Sequence, residues 1–325
     1  MRKMDVPTAN KPVVRYLRVG PEQAGQRLDN FLLRECKGVP KSHLYKAIRD
    51  GQVRVNRGRS RADARLAQGD QVRVPPLRLP APGARVPVPP AHFPILHEDA
   101  HLLVIDKPAG VAVHGGSGVS FGVIEQLRAA RPAEKLLELA HRLDRETSGV
   151  LLIARSRRAL VALHDMMRAS RGHKHYLALV VGDWVNQRQH IRLPLLKYLT
   201  PGGERRVRVD AQGKAAHTII TLQRRYGGHY SLLDAELRSG RTHQIRVHLA
   251  ASGHPVAGDE KYGPDAVRQA LIAQGFRRMF LHAARFDLPH PVSGQPLCLR
   301  APLPADCQAL LDRLDHAHPT GAQIP

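Results

Sequence analysis

The 325-residue chain carries 50 Lys and Arg against 28 Asp and Glu, a net charge of +22, in a composition that is 42% hydrophobic and 24% charged. That length suffices for one large or two ordinary domains, and the balance is that of a globular chain rather than a disordered or fibrous one. No apolar run approaches about 18 residues, which argues against membrane spans and a secretory leader; the positive excess, destabilising to a compact state unless a polyanion shares it, points to nucleic acid.

Three cysteines, Cys36, Cys298 and Cys307, stand far apart and form no CxxC pair. Such a set offers no disulfide framework, so a reducing cytoplasm is the expected setting. Among the 19 histidines, the pairs His173–His175 and His243–His248 lack a cysteine partner and structural-zinc spacing. No glycine-rich phosphate loop occurs either, so neither a metal nor a nucleotide cofactor is expected.

In chain order, residues 1–23 begin as a polar stretch with Lys and Pro and are expected to form a flexible N-terminal segment. Residues 24–75 read as a compact unit. Leu28, Phe31 and Leu32, then Leu44 and Ile48, recur at helical spacing on either side of Gly38-Val39-Pro40. Ser42 is placed to cap the second helix and Gly51 to stop it. "QVRVNRG" and "DQVRVPP" alternate apolar and polar residues, predicting two strands joined through a turn at Asn56–Gly58. Between 25 and 75, twelve basic residues face five acidic ones, a net +7. Lys41, Arg49, Arg54 and Arg57 are expected to crowd around one helix–turn–strand corner as a phosphate-contacting face, with Arg27, Ser42 and Asn56 beside them. Phe31 and Tyr45 are the aromatics of this span, which favours backbone and shape recognition over base stacking.

Residues 76–94 carry Pro at nearly every second or third place and predict a semi-rigid linker. A mixed α and β domain is expected over 95–315, with a flexible tail at 316–325. "ILHEDAHLLVIDKPAGVAV" gives strands broken at Lys107–Gly110, "SFGVIEQLRAA" a helix, and "GVLLIA" a buried strand. "SRRALVALHDMMRAS" puts Leu160, Leu163 and Met167 on one helical face, with Met166 and Met167 as core filler. "KHYLALVVGDW" alternates as a strand with Tyr176, Ala178 and Val180 on one side.

Between the third helix and the buried strand lies "HRLDRETSG", with Asp144 flanked by Arg142 and Arg145. The Thr147–Gly149 turn would hold Asp144 at the sheet edge, partly desolvated. Such a carboxylate is costly unless a cation within about 4–6 Å keeps it ionised. An oriented Asp can act as nucleophile or general base; an ordinary Arg–Asp surface turn fits the spacing equally. Glycoside hydrolysis wants two acids about 5–10 Å apart, and only Glu146 stands nearby in sequence. A second stretch, "SGRTHQIRVHLAASGHP", reads as a helix capped by Thr242 with Ile245 and Leu249 on one face, or as a strand by the alternation of Thr242, Gln244, Arg246 and His248. As a helix it could bring Arg246 to a buried acid.

"HRLDRETSG" and "GRTHQIRVH" together resemble the motifs of the RluA-type family of pseudouridine synthases, and Tyr176 in "KHYLALV" stands where that family keeps an active-site tyrosine. "KPAGVAVHGG" and "GHPVAGDEKYG" also match family segments, and the resemblance covers about residues 24 to 303. Residues 25–75 resemble the small alpha-L (S-four-type) RNA-binding domain. The early "KGVPKS" and the later "VHGGSGVSFGVIE" place the chain nearest to members acting on large-subunit (23S) ribosomal RNA.

The resemblance implies an α+β fold, with a mixed, largely antiparallel sheet flanked by helices behind the small RNA-binding domain. It implies a cofactor-independent isomerase, expected as a monomer, whose partner is large-subunit ribosomal RNA and not a membrane. Asp144 would attack the target uridine, at the base or at the sugar, so that the bond from ribose C1′ to N1 breaks and the base re-attaches through C5. Tyr176 would stack on the flipped base and assist proton removal from C5, Arg246 would pair with Asp144, and Arg142 would fill the gap left by the extruded nucleotide. Three rival readings are a transfer-RNA-directed synthase, a non-catalytic ribosomal-RNA-binding protein, and a hydrolase that would release free uracil.

Overall fold

The computed structural model describes residues 13–36, 38–77, 88–115 and 119–318. Parts of the expected N-terminal segment, of "KGVPKS", of the Pro-rich linker, of "VHGGSGVSFGVIE" and of the tail lie outside the described residues. The chain divides into two compact units at Pro87 and Val88.

The first unit is built from β1 (Arg15–Arg18), α1 (Leu28–Glu35), α2 (Lys41–Arg49), β2 (Arg54–Val55), β3 (Gly58–Arg59) and β4 (Gln71–Val74). Its sheet runs in the order β1-β4-β2-β3. The helices bury Leu28, Phe31, Leu32, Leu44 and Ile48 against Val53, Val72 and Val74 in one small core. The apolar spacing that predicted two helices is therefore the spacing that packs them.

Four expectations change here. The segment 1–23 is not wholly flexible, because Arg15–Arg18 pairs antiparallel with Val74–Gln71 as β1. Ser42 caps nothing: Lys41 already has helical geometry, so Pro40 is the N-cap and Ser42 lies inside the helix. Asn56 and Arg57, both with positive φ, form a two-residue turn linking β2 to β3 rather than to the later strand, β4. Finally, Lys41 and Arg49 stand at opposite ends of α2, about 12 Å apart at 1.5 Å per residue, so they share no corner.

The second unit begins with β5 (Ile95–Glu98), β6 (Leu102–Lys107), α3 (Val123–Ala130), β7 (Glu138–Leu139), β8 (Ser148–Ala154) and α4 (Arg157–Arg168). It continues through β9 (His173–Val181), β10 (Arg188–Ile191), β11 (Leu195–Leu199), β12 (Arg205–Val209), β13 (Thr218–Tyr226) and β14 (Tyr230–Leu237). It closes with α5 (Gln244–Ala251), α6 (Asp265–Ala273), β15 (Leu281–Pro289), β16 (Pro296–Arg300) and α7 (Ala305–Ala317). The last helix extends into the stretch expected to be a flexible tail, because Leu310, Leu311 and Leu314 pack into a core beside Tyr226 and Phe280.

Ten strands form one sheet whose main path is β10-β13-β14-β9-β15-β8-β6-β5. Its pairings are antiparallel except β15 with β8, so the fold is α+β with a mixed, mostly antiparallel sheet. Both faces are covered, which explains why β8 reads as an unbroken apolar run. Leu151 and Ile153 join α3 and α5 in one core, while Val150 and Leu152 pack under α4 on the other. In α4 the buried residues are Ala159, Leu160, Leu163 and Met166, with Met167 only partly covered.

The start of β8 is the tightest point. Gly149 has φ near +110°, and a Cβ there would run into the carbonyl of Ala283 on β15. Gly149→Ala is expected to cost about 2–4 kcal/mol through strain and collision. Thermal melting should show a fall of roughly 5–15 °C for a unit of this size; a shift under 2 °C would mean that the strand pair yields freely.

Candidate active site

The residues of "HRLDRETSG" form the turn that feeds β8. Leu143, Thr147 and Ser148 are buried in it, whereas Arg142 and Arg145 point outward. Three groups fix its course. His141 Nε2 accepts a 3.1 Å hydrogen bond from the Leu152 amide. Burial, with help from Lys174, lowers His141 to about 3, which keeps that nitrogen an acceptor. Thr147 N donates to Asp144 O at 3.2 Å. Lys107, fully buried at the end of β6, donates from Nζ to the carbonyls of Pro108, Val111 and Arg145. Burial draws this ammonium down to about 7, against the opposing pull of Glu146 and Asp144.

Neither flanking arginine pairs with Asp144. Arg145 is taken by Glu146, and Arg142 makes no ion pair among the described residues. The cation comes from α5 instead: Arg246 Nη1 donates to Asp144 Oδ2 at 3.1 Å. Helix therefore wins over strand for "THQIRVH", and Ile245 and Leu249 bury as that reading requires. Thr242 is not the cap, because His243 takes that place with φ +52°. The second acid is Asp259, in the "GDEKYG" segment. Its wholly buried carboxylate receives Arg246 Nε and Nη2, each at 2.7 Å, in a bidentate pair. Burial opposes a charge on Arg246, but the bonds and charge of Asp259, then of Asp144, overcome it and raise the guanidinium pKa.

Two more side chains close on the carboxylate. His243 Nε2 lies 3.8 Å from Asp144 Oδ2, and burial lowers its pKa although Asp144 pulls the other way. The Tyr262 hydroxyl accepts from the Val207 amide and lies 2.8 Å from His243 Nδ1, where it is placed to donate; that assignment would put the ring proton on Nε2, facing Asp144. Tyr176, on β9, is buried, and that burial, then the charge of Asp144, raises its phenol well above the ordinary value. The phenol stays neutral at physiological pH.

These groups open onto a cavity of about 740 Å³ lined by Arg142, Asp144, Lys174, Tyr176, His243 and Arg246, among others. Its contents are one carboxylate aligned by a clamped cation, an aromatic ring, and a cationic rim. Among the described residues, no group of three His, Cys, Asp or Glu is arranged to hold a metal.

Residues 101–251 match the family described as RNA pseudouridylate synthase, and residues 26–72 match the S4 domain. The chain is 48% identical over 300 residues to ribosomal large subunit pseudouridine synthase C of Yersinia pestis, covering 90% of this chain and 93% of that one. It is 44% identical over 315 residues to the Escherichia coli K12 protein of the same name, covering 94% and 98%. The chain belongs to the RluA-type family of RNA pseudouridine synthases. Among solved structures, human RNA pseudouridylate synthase domain containing 4 superposes with a TM-score of 0.56 at 25% identity, over 68% of this chain and 92% of that one.

In this pseudouridine synthase the cavity unites Arg142 and Asp144 of one turn with Tyr176 and Arg246 from distant parts of the sequence. The expected RNA contacts of the S4 unit are less uniform. Arg54 and Arg57 border a separate cavity, and Ser42 and Arg49 are exposed on α2, which Lys41 opens. Arg27 directs its guanidinium to Asp29, at 3.1 and 2.6 Å, and Asn56 clips the hairpin to β4 through Asp70 and Gln71. Asp259, His243, Lys107 and Lys174 escaped the sequence reading. A polar pair inside "GDEKYG" and a lysine ending an apolar strand were the available signals for the first and third.

Lys174 follows the alternation of β9 onto the face of Tyr176, with its ammonium 5.0 Å from the centre of the Phe286 ring. Burial lowers it from 10.5 to about 8. Below pH 8 the folded chain therefore holds a desolvated ammonium, and the penalty that Lys174 itself places on stability should fade as pH goes from about 8 to 10.5. Lys174→Met removes that cost. It should melt a few degrees higher than wild type at pH 7, with the advantage gone near pH 10.5; an equal difference at both pH values would refute this.

Proposed function

We propose that this synthase converts specific uridines of large-subunit ribosomal RNA to pseudouridine, with Asp144 as the nucleophile acting on a flipped-out nucleotide. The observation that carries the reading is the Asp144–Arg246 pair, anchored from behind by Asp259, in the lining of a cavity of about 740 Å³. The names of the related bacterial proteins support the substrate class.

Each residue then has a task. Asp144 attacks the target nucleotide and bonds to it transiently, the bond from C1′ to N1 breaks, the base turns, C5 joins C1′, and the bond to Asp144 breaks to restore the carboxylate. C5 loses a proton and N1 gains one, so no atom is added or removed overall. Arg246, anchored by Asp259, fixes the direction of the attacking oxygen and needs no reorganisation as the reaction proceeds. The raised pKa of Tyr176 favours stacking against the base over removing its C5 proton. Arg142, free on the rim, fills the helix gap. Extrusion costs a few kcal/mol, which the excess of 22 positive charges helps offset through phosphate contacts.

Asp144→Asn is expected to bind large-subunit RNA within about threefold of wild type while conversion falls by at least about 10³-fold. Carbodiimide labelling and primer extension would map the product. Discrete stops with wild type that vanish in the variant establish the assignment. Stops that persist remove Asp144 from the chemistry. Stops on transfer RNA instead move the substrate, and free uracil would indicate hydrolysis.

A further inference from the structure

The S4 unit presents a second surface that this chemistry does not use. Strand register sets Tyr16 opposite Arg73, Arg73 opposite Arg54, and Arg54 opposite Arg59. One cross-strand row over β1, β4, β2 and β3 thus holds an aromatic ring followed by three guanidinium groups. Neighbouring positions Leu17, Val72 and Val55 alternate to the other face and pack on the core. The row faces outward: Tyr16 is 61% exposed, large for an aromatic ring with no role in the core.

Beside it lies a cavity of about 810 Å³ lined by Tyr16, Asp50, Gln52, Arg54, Arg57 and Arg73, among others. Arg54 and Arg73 are aimed by backbone carbonyls, through Arg54 to Gly51 and Arg57 and Arg73 to Gln52. Among the described residues none of Arg54, Arg57, Arg59 and Arg73 makes an ion pair, and Asp50 is the acid at the border. Like charges set directly opposite across strands are destabilising. A polyanion relieves that repulsion, and guanidinium forks suit phosphate oxygens. An exposed ring at the end of the same row offers the π-face that an unpaired base needs. Strand β1 precedes the residues 26–72 that match the S4 domain, so the ring is supplied from outside that match.

We propose that this sheet face binds a single-stranded segment of RNA, with phosphates along Arg73, Arg54 and Arg59 and an unpaired base stacked on Tyr16. At about 4.8 Å per strand the row spans about 14 Å, room for a few nucleotides. It rests on the reading that RNA is the substrate and adds where a strand beside the target is gripped. Net positive charge alone would favour duplex and single strand alike; the ring is what selects the single strand.

The test uses the full chain with a fluorescein-labelled oligouridylate and, separately, a labelled RNA duplex of equal length. Tyr16→Ala is expected to weaken oligouridylate binding about 5- to 10-fold, with duplex binding unchanged and Tyr16→Phe near wild type. Arg73→Gln should weaken both and lower the salt slope by about one. Pseudouridine formation by Tyr16→Ala should show a raised KM and an unchanged kcat. Wild-type affinity of Tyr16→Ala for oligouridylate overturns the proposal, as does an equal loss on duplex. Oligonucleotide binding is read without catalysis, so a wild-type enzyme that makes no pseudouridine would refute the proposed function and leave this result standing.

Discussion

Everything in the catalytic unit converges on one guanidinium shared by two acids. Arg246 is 6% exposed by side chain, Asp259 0%, and Asp144 18%, so the array is graded from fully dry to the cavity wall. Removing one member of a buried charge pair typically costs about 3–5 kcal/mol, because the partner is left uncompensated. Asp259 therefore does more than neutralise. It holds both remaining donor positions of Arg246, so that Nη1 is the atom left to address Asp144. Rotation of the guanidinium would break two short bonds to gain none.

That arrangement needs elements from distant parts of the chain to meet. The turn before β8 brings Asp144, α5 brings Arg246, the segment before α6 brings Asp259, and β9 brings Tyr176. Lys107 adds a mechanical tie, since one ammonium bonds carbonyls on both the β6 end and the Asp144 turn. Strand pairing of β8 with both β6 and β15 then locks the turn from either side. The Asp144 carboxylate sits on a loop, yet the loop is short and is bonded at several points to a sheet.

Much of this was legible in the sequence where a periodic rule applied. Apolar alternation found β9, and an unbroken apolar run found β8, because burial on one or both faces leaves those patterns. The resemblance of its motifs to a known family, rather than periodicity, brought Asp144, Tyr176 and Arg246 together as candidates. What stayed hidden depended on partners remote in sequence. Asp259 sits in a segment that looks like a polar loop, and only the fold shows that it is dry. His243 adopts a left-handed conformation that is uncommon for any residue other than glycine, so the cap fell on Thr242 instead. Strand β1 has four residues, two of them arginine, and a single neighbour. Too little of it is buried to leave a pattern, and its Tyr16 was missed with it.

The position of β1 also bears on how the chain tolerates trimming. β1 is an outermost strand of its sheet, and its partner β4 carries the core residues Val72 and Val74. A chain shortened to the residues that resemble an S4 domain would turn β4 into an open edge, with unpaired amides and carbonyls beside apolar side chains. Such edges recruit other strands, and charged residues such as Arg15 and Arg18 are a common guard against it. The few residues ahead of the recognisable domain thus protect it from self-association, so trimming them would lower solubility as well as remove the Tyr16 ring.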